Sequence, residues 1–188
     1  MKQDINPKEF KLFRPITGDG GHKIEVVYAT LLTLGQNNQA IKEATDALPA
    51  GDRRVMAVTG LKEDEIDRLS TPDFNSLSAY VDQMRTQASA EFFGKRMDPD
   101  SPTLALPISV NGGEEVTTLS LQVPSVKQIR ARDLVSKEVM TRALWLTSAC
   151  TGAGPDDLLA LAMPDWLHLQ LRLGDFLQQP AAFFHSGT

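Results

Sequence analysis

The sequence predicts a mostly helical α+β fold made of two tandem repeats, each a β-hairpin followed by three to four short helices. The stretch PITGDGG at residues 15–21 recurs as PISVNGG at residues 107–113, an offset of 92. Short segments of strand-like composition flank both glycine turns. Segments of helix-forming residues, ended by glycine or started by proline, follow each turn.

The offset of 92 continues without a gap, which indicates an internal duplication. The pair TG at residues 59–60 aligns with TG at 151–152, and PD at 72–73 aligns with PD at 164–165. Glycine and proline punctuate secondary structure, and their recurrence in one frame is hard to reach by chance. We therefore treat the chain as two copies of one ancestral unit.

The polar, proline-bearing stretch GKRMDPDSP is expected to be a linker between the copies. Its position divides the chain into a first repeat unit at residues 1–93, a linker at 94–102 and a second repeat unit at 103–188.

Each unit should begin with two short strands around its glycine turn. The predicted strands are KLFRPI and HKIEVVYA in the first unit, and LALPIS and EEVTTLSL in the second. The turn glycines would supply backbone angles with positive φ. Because an isolated hairpin is marginal in water, we expect each one to pack on helices.

The helix that follows is expected to differ between the units. Residues 126–151 contain neither proline nor glycine, so they predict a continuous helix that stops at Gly152. Pro49 and Gly51 interrupt the matching segment of the first unit, so that helix should be split.

Acidic residues cluster at the start of a short helix predicted at about residues 62–69 and again at 154–161. Carboxylates at this position favour the positive end of the helix dipole. Paired carboxylates also suit general acid–base catalysis, but the helix-start role explains these better. The residues are Glu63, Asp64 and Glu65 in the first unit, and Asp156 and Asp157 in the second.

The last long helix of each unit should start at STPDF and at MPDW, with proline in its first turn and Thr71 as a cap in the first copy. Apolar residues then recur at i, i+3, i+7 and i+10, which is one face of a helix. The predicted buried stripes are Phe74, Leu77, Val81 and Met84, and Trp166, Leu169, Leu173 and Phe176.

Composition and motifs argue against several function classes. The net charge of −5 lacks the basic patch of a nucleic-acid binder. No apolar run is long enough to span a bilayer and the first residues lack a signal core, so we expect no membrane association and no export. The single cysteine, Cys150, favours a reducing compartment and is expected to be a small core residue.

The glycine turn also fails as a phosphate-binding loop. PITGDGG has Lys23 where the dinucleotide fingerprint needs its third glycine, and it leads into a strand rather than a helix. The three histidines stand at no metal-ligand spacing. We therefore expect no cofactor, no metal and no catalytic residue, although a site assembled across the fold leaves no such trace.

Six residues become candidates for partner binding when the two copies are compared and the ends of the units are inspected. Asn75 and Ala79 of the first unit correspond to Leu167 and Leu171, which give the last helix a second apolar face. That face could pack on the first unit or bind a partner. Each unit also ends in an aromatic pair that could bind a partner or fold onto its own core. The pairs are Phe92-Phe93 and Phe183-Phe184.

The order of these signals resembles the tail assembly chaperones of Mu-like contractile-tailed phages and their prophage relatives. Both units carry a "PI" step into a glycine turn, a "TG" after the long helix, an acidic short helix and an aspartate before the final helix. The second unit matches at Pro107, Ile108, Gly112, Pro124, Thr151, Gly152, Asp156, Asp157, Leu158, Leu161, Asp165, Phe176 and Leu177; the first matches at Pro15, Ile16, Gly20, Thr59, Gly60, Asp64, Leu69 and Asp73. The pattern differs at three positions. Gln36 and Gln128 replace an acidic residue, and Leu32 replaces the strand-end proline.

The resemblance implies a non-enzymatic role in the cytoplasm of the bacterial host. Such proteins bind the helical tape measure protein, keep it soluble while the tail tube assembles, recruit tail tube subunits and are absent from the mature virion. Self-association is also compatible with this role. Two alternatives remain: a permanent structural component of a phage tail or baseplate, and a small enzyme with a site between the units.

Overall fold

The computed structural model describes residues 6–185, and both units have the predicted order of a hairpin followed by helices. In the first unit the elements are β1 (Lys8–Thr17), β2 (Lys23–Ala29), α1 (Leu34–Lys42), α2 (Ala50–Thr59), α3 (Glu63–Ile66), α4 (Thr71–Thr86) and α5 (Ser89–Phe92). In the second they are β3 (Thr103–Val110), β4 (Glu114–Thr118), α6 (Val126–Val135), α7 (Val139–Thr151), α8 (Pro155–Leu158), α9 (Met163–Gln178) and α10 (Ala181–His185). The α+β prediction is confirmed, with α5 and α10 as additional short helices.

The two hairpins are built alike. Each pairs its strands antiparallel, with a register shift between Lys11 and Ile16 in the first and between Thr103 and Ile108 in the second, which are equivalent positions. Gly20 and Gly21 have φ of 80° and 81°, and Gly112 and Gly113 have 88° and 129°. Residues that carry a Cβ are strained at positive φ, so the conformation of these turns explains why both copies have glycine there.

The acidic residues at α3 and α8 hold the hairpin turns in place. Buried Glu65 accepts hydrogen bonds from the backbone N–H groups of Asp19, at 3.0 Å, and Lys62, at 2.9 Å. Asp157 accepts from the N–H groups of Asn111 and Gly154, the equivalent positions. In the first unit, the hydrogen bonds from the N–H groups of Lys62 and Asp19 lower the pKa of Glu65. Both carboxylates are thus structural, as the helix-start interpretation predicted.

The helix breaks match the prediction in the first unit and differ from it in the second. The long helix predicted for the first unit is split into α1 and α2, as expected. The prediction of a continuous helix over residues 126–151 was wrong. The chain is extended at Ser136 (φ −162°, ψ 159°), so α6 and α7 are separate helices that pack against each other. Packing explains the break, because Gln128 Nε2 can then donate to the Ala149 carbonyl, at 3.2 Å. Tertiary contacts here override local helix propensity.

The final helices carry the predicted buried stripes on α4 and α9, with one correction at a cap. Leu77, Val81 and Met84 are buried, as are Trp166, Leu169 and Leu173, while Phe74 and Phe176 pack at the edge of the core. Ser70, not Thr71, caps α4, because its hydroxyl accepts from the N–H of Asp73.

The two units share one hydrophobic core and are joined by backbone hydrogen bonds. The segment between β2 and α1 lies along the segment between α8 and α9. Leu32 O accepts from Met163 N, and Leu34 N donates to Leu161 O, both at 2.8 Å. The units therefore meet through different faces, which makes their junction heterologous.

Leu32 occupies the position where the second unit has Pro124, and a hydrogen bond inside the first unit explains the difference. Leu32 is fully buried, and its backbone N–H donates to Met84 Sδ at 3.2 Å. Proline has no N–H to donate. The first unit therefore departs from the family pattern at a residue whose N–H bonds within its own unit, whereas the junction uses only its carbonyl.

Candidate partner-binding surface

The first aromatic pair lies against the core of its own unit. Phe92 and Phe93 are half-buried, with ring centroids 4.9 Å apart in an edge-to-face arrangement. Phe92 also packs on Tyr80, at 5.9 Å. Edge-to-face aromatic packing of this kind stabilises a core. The arrangement favours the core interpretation for this pair, and partner binding by it stays a prediction.

The second pair is more open. Phe183 is 48% exposed, whereas Phe184 is half-buried and lies 5.4 Å from Phe176 between ring centroids. The Arg172 guanidinium lies over both rings of that contact, at 4.7 Å and 5.1 Å. Phe184 therefore anchors α10 on the end of α9, and Phe183 is presented at the surface.

The second apolar face of α9 is only partly covered. Leu167 is half-buried, and Leu171 is 65% exposed. Of the two possibilities left open by the sequence, packing on the first unit does not account for Leu171. This residue is available to a partner.

An apolar groove that sequence reasoning did not find lies between α7 and α9, where α6 borders it. Its volume is about 260 Å³. We call it the α7–α9 groove. Its lining is formed by Arg132, Val139, Arg142, Ala143, Leu146, Gln170, Leu173, Gly174 and Leu177.

The first unit has charged residues where the second has Leu146, Gly174 and Leu177. Arg54 occupies the position of Leu146; it is buried, and its Nε donates to Asn37 Oδ1 at 2.8 Å. Asp82 and Arg85, which pair at 2.9 Å, stand where the second unit has Gly174 and Leu177. Burial lowers the pKa of Arg54. A hydrogen-bonded polar cluster thus replaces the apolar groove in one copy, a difference that aligning the copies position by position could have revealed.

Exposed apolar side chains surround the groove. At the corner between α6 and α7, Leu134 is 87% exposed and Val139 is 73% exposed. Helix α6 has no buried residue, whereas its counterpart α1 buries three. Large apolar side chains grouped at a surface mark interaction sites more often than chance exposure does.

The groove is electropositive in an acidic protein. Residues 126–146 carry five basic and two acidic side chains, a net charge of +3 in a chain of net charge −5. The matching residues 34–54 carry three of each sign. Arg132 pairs with Asp133 at 2.7 Å. The Arg142 side chain has neither a hydrogen bond nor an ion pair to any part of the chain between residues 6 and 185.

Metal-binding side chains and further grooves were the other features of the described region to consider. Residues 6–185 contain no grouping of three histidine, cysteine, aspartate or glutamate side chains that could hold a metal. Cys150 is buried, as expected for a core residue, and burial raises the pKa of its thiol. A further groove at the junction of the units is lined by Asn6, Pro7, Ala29, Thr30, Leu31, Thr33, Gln36, Tyr80 and Leu106.

Fold and surface together describe a repeated hairpin-and-helix unit whose second copy has an apolar groove. Residues 101–178 match the family described as "Phage tail assembly chaperone proteins, E, or 41 or 14". The second unit thus matches the phage tail assembly chaperone family, in agreement with the resemblance seen in the sequence. The match runs from just before β3 to the last residue of α9 and contains the whole groove.

The other comparisons give no relatives. No curated protein and no solved structure matches the chain. Among the described residues, none of the helices has the length and apolar character required to cross a membrane.

Proposed function

We propose that this protein is a non-catalytic tail assembly chaperone that binds the phage tape measure protein and keeps it soluble while the tail tube forms. The family of the second unit supports a role in tail assembly. The observation that carries the finer proposal is the α7–α9 groove, which lies in the copy that matches the family. The other copy has the charged residues Arg54, Asp82 and Arg85 at three of its positions.

The proposed mechanism is stoichiometric shielding. A long client helix with an exposed apolar stripe aggregates unless that stripe is covered. The groove and the neighbouring Leu171 would cover part of it, and Leu134 and Val139 would extend the contact. Because the contact is apolar and non-covalent, the client is released when tube subunits compete for it.

The size of the groove fits side chains better than a whole cofactor. Small-molecule sites usually enclose about 300–1,000 Å³, whereas this groove has about 260 Å³ and is open along its length. A helix that inserts two or three apolar side chains into a groove is a common mode of protein recognition.

Co-expression with the proposed client, a phage tape measure protein, tests the proposal. A pull-down should recover a complex, and the soluble fraction of the client should rise. The double substitution Leu167→Glu and Leu171→Glu should weaken both effects. Phe13→Glu, at a side chain that is 80% exposed on β1, is the matched control and should not. No complex and no gain in client solubility would refute the proposal.

Mass spectrometry of purified particles separates this role from that of a permanent tail or baseplate component. A chaperone of the host cytoplasm should be missing from mature virions. Stoichiometric amounts in particles would support the structural alternative instead.

A further inference from the structure

We propose that the α7–α9 groove selects an amphipathic helix whose apolar stripe is flanked by acidic residues, with Arg142 and Arg132 reading the charge. This inference rests on the proposed function, since it names the chemistry of the client at that site. It goes beyond it by predicting which helical segments bind.

The lining of the groove separates into an apolar floor and a basic rim. Leu146 and Leu173 are buried at its base, and Leu177 is partly exposed. Its charged lining residues are Arg132 and Arg142, and no acidic side chain lines it. A ligand that fills the groove with apolar side chains therefore brings its flanking residues next to two guanidinium groups.

The free guanidinium of Arg142 gives the charge preference its strongest argument. Arg132 already pairs with Asp133, but Arg142 has no partner within residues 6–185. Guanidinium groups bind carboxylates through paired, charge-assisted hydrogen bonds. A carboxylate beside the apolar stripe would complete this arrangement, whereas a lysine there would be repelled.

The first unit is an internal comparison for this site. Its matching segment is electrically neutral, and Arg54 lies inward against Asn37 instead of facing a ligand. The duplication therefore has one copy with charged residues at three positions of this groove and one copy whose apolar groove and positive charge occur together. An acidic amphipathic helix satisfies both properties at once.

Two synthetic helical peptides test the inference. They share one leucine stripe at i, i+3, i+4 and i+7, and their flanking residues are glutamate in one and lysine in the other. We expect the full-length chain to bind the glutamate peptide at least about fivefold more tightly by fluorescence anisotropy. The difference should shrink in 0.5 M salt, because exposed charges are screened.

Substitutions assign the effect to the groove. Arg142→Glu should reverse the preference, and Arg142→Lys should keep it. Gly174→Asp with Leu177→Arg transfers the first unit's polar pair and should abolish binding of both peptides. A Cβ at Gly174 would meet no atom within 4 Å, so the fold should accept this variant. If it does not fold, Arg142→Glu at the half-buried rim position still decides.

The outcomes distinguish this inference from the proposed function. Equal affinity for the two peptides, or an unchanged preference in Arg142→Glu, would overturn the inference even if the tape measure protein still co-purifies. If the peptide preference holds but no tail protein forms a complex, the inference stands and the proposed function fails. A second copy of the chain is the alternative occupant of the groove. A dimer that is seen in sedimentation, blocks peptide binding and is abolished by Gly174→Asp/Leu177→Arg would also overturn the inference.

Discussion

The hydroxyl of Ser89 donates a 2.5 Å hydrogen bond to Oδ1 of Asp165, joining the first unit to a fully buried carboxylate of the second. The equivalent carboxylate, Asp73, accepts instead from Ser70 of its own unit, at 2.6 Å. Alanine stands at the position of Ser70 in the second unit. In both units this carboxylate ties the first strand to the last long helix. In the second unit, however, its hydroxyl donor comes from across the junction.

Asp165 should make stability depend on pH in an unusual direction. Burial raises its pKa to about 6, against an ordinary 3.8, although bonds from Ser89 and the Ala105 N–H oppose the rise. Its contribution to stability is therefore full below about pH 4 and is lost as the pH rises through about 6. The difference amounts to about 3 kcal/mol.

Urea unfolding of the wild type and Asp165→Asn from about pH 4 to about pH 7 measures this effect. The free energy of unfolding of the wild type should fall relative to the variant over that range. Asp73→Asn is the matched control. Desolvation pushes the pKa of Asp73 up, but bonds from Ser70 and the N–H groups of Phe13 and Arg14 outweigh it and lower the pKa. Its contribution is lost only as the pH falls below about 4, so the difference between the wild type and Asp73→Asn should stay constant over this range. A fall like that expected for Asp165 would contradict this account.

Ser89→Ala should destabilise the whole protein, not only α5. The substitution leaves Asp165 Oδ1 buried without a hydrogen bond, which costs about 1–3 kcal/mol. Chemical denaturation at neutral pH measures it. Ser70→Ala removes both a helix cap and the equivalent bond and should cost about 1 kcal/mol. Ser89→Thr keeps a hydroxyl and should recover part of the lost stability. If Ser89→Ala left the free energy of unfolding unchanged, that result would argue against the hydrogen bond to Asp165.

Gly35→Ala should be destabilising although Gly35 lies in a helix. Alanine normally stabilises a helix by about 0.5–1 kcal/mol relative to glycine. At Gly35, however, a Cβ would lie 3.1 Å from the Leu159 carbonyl oxygen. That carbonyl accepts the Gly35 N–H across the junction of the units, so it cannot move away freely.

Gly174→Ala in α9 is the matched control, since its Cβ meets nothing within 4 Å. Thermal unfolding should show a lower melting temperature for Gly35→Ala and a higher one for Gly174→Ala. Two equal increases would show that the junction tolerates the extra methyl group.

Helix α6 should exchange its amide protons much faster than its counterpart α1. Leu34, Asn37 and Ala40 of α1 are buried, whereas no residue of α6 is. Helices held by little buried surface open at low free energy. Hydrogen–deuterium exchange measures both helices in one sample, with α7 as the protected reference. Equal protection of α1 and α6 would contradict the prediction.

Binding of the proposed client helix should slow exchange in α6 selectively. The helix borders the α7–α9 groove through Arg132. Covering a groove stabilises the elements that form it, because the ligand binds only their folded state. Unchanged exchange in α6 at saturating glutamate peptide would place the binding site elsewhere.

The sequence by itself determined the repeated part of the fold. Hairpin turns, final helices and helix stops depend on local signals: glycines at positive φ, prolines in first turns and apolar spacing of one helix face. These signals recur at an offset of 92, so each copy supported the interpretation of the other. The division of the chain into two repeat units by a linker at residues 94–102 stays a prediction.

Tertiary structure alone decided what makes the two copies different. The break after Val135, the donation by Ser89 to Asp165 and the bonds of Leu32 all depend on residues far away in sequence. The same holds for the α7–α9 groove, whose lining comes from three helices. Local propensity acts over a few residues, whereas burial and hydrogen-bond partners depend on which elements pack together. For that reason the repeats and their differing residues could be read from the sequence, whereas only the folded chain shows which of those residues meet at one surface.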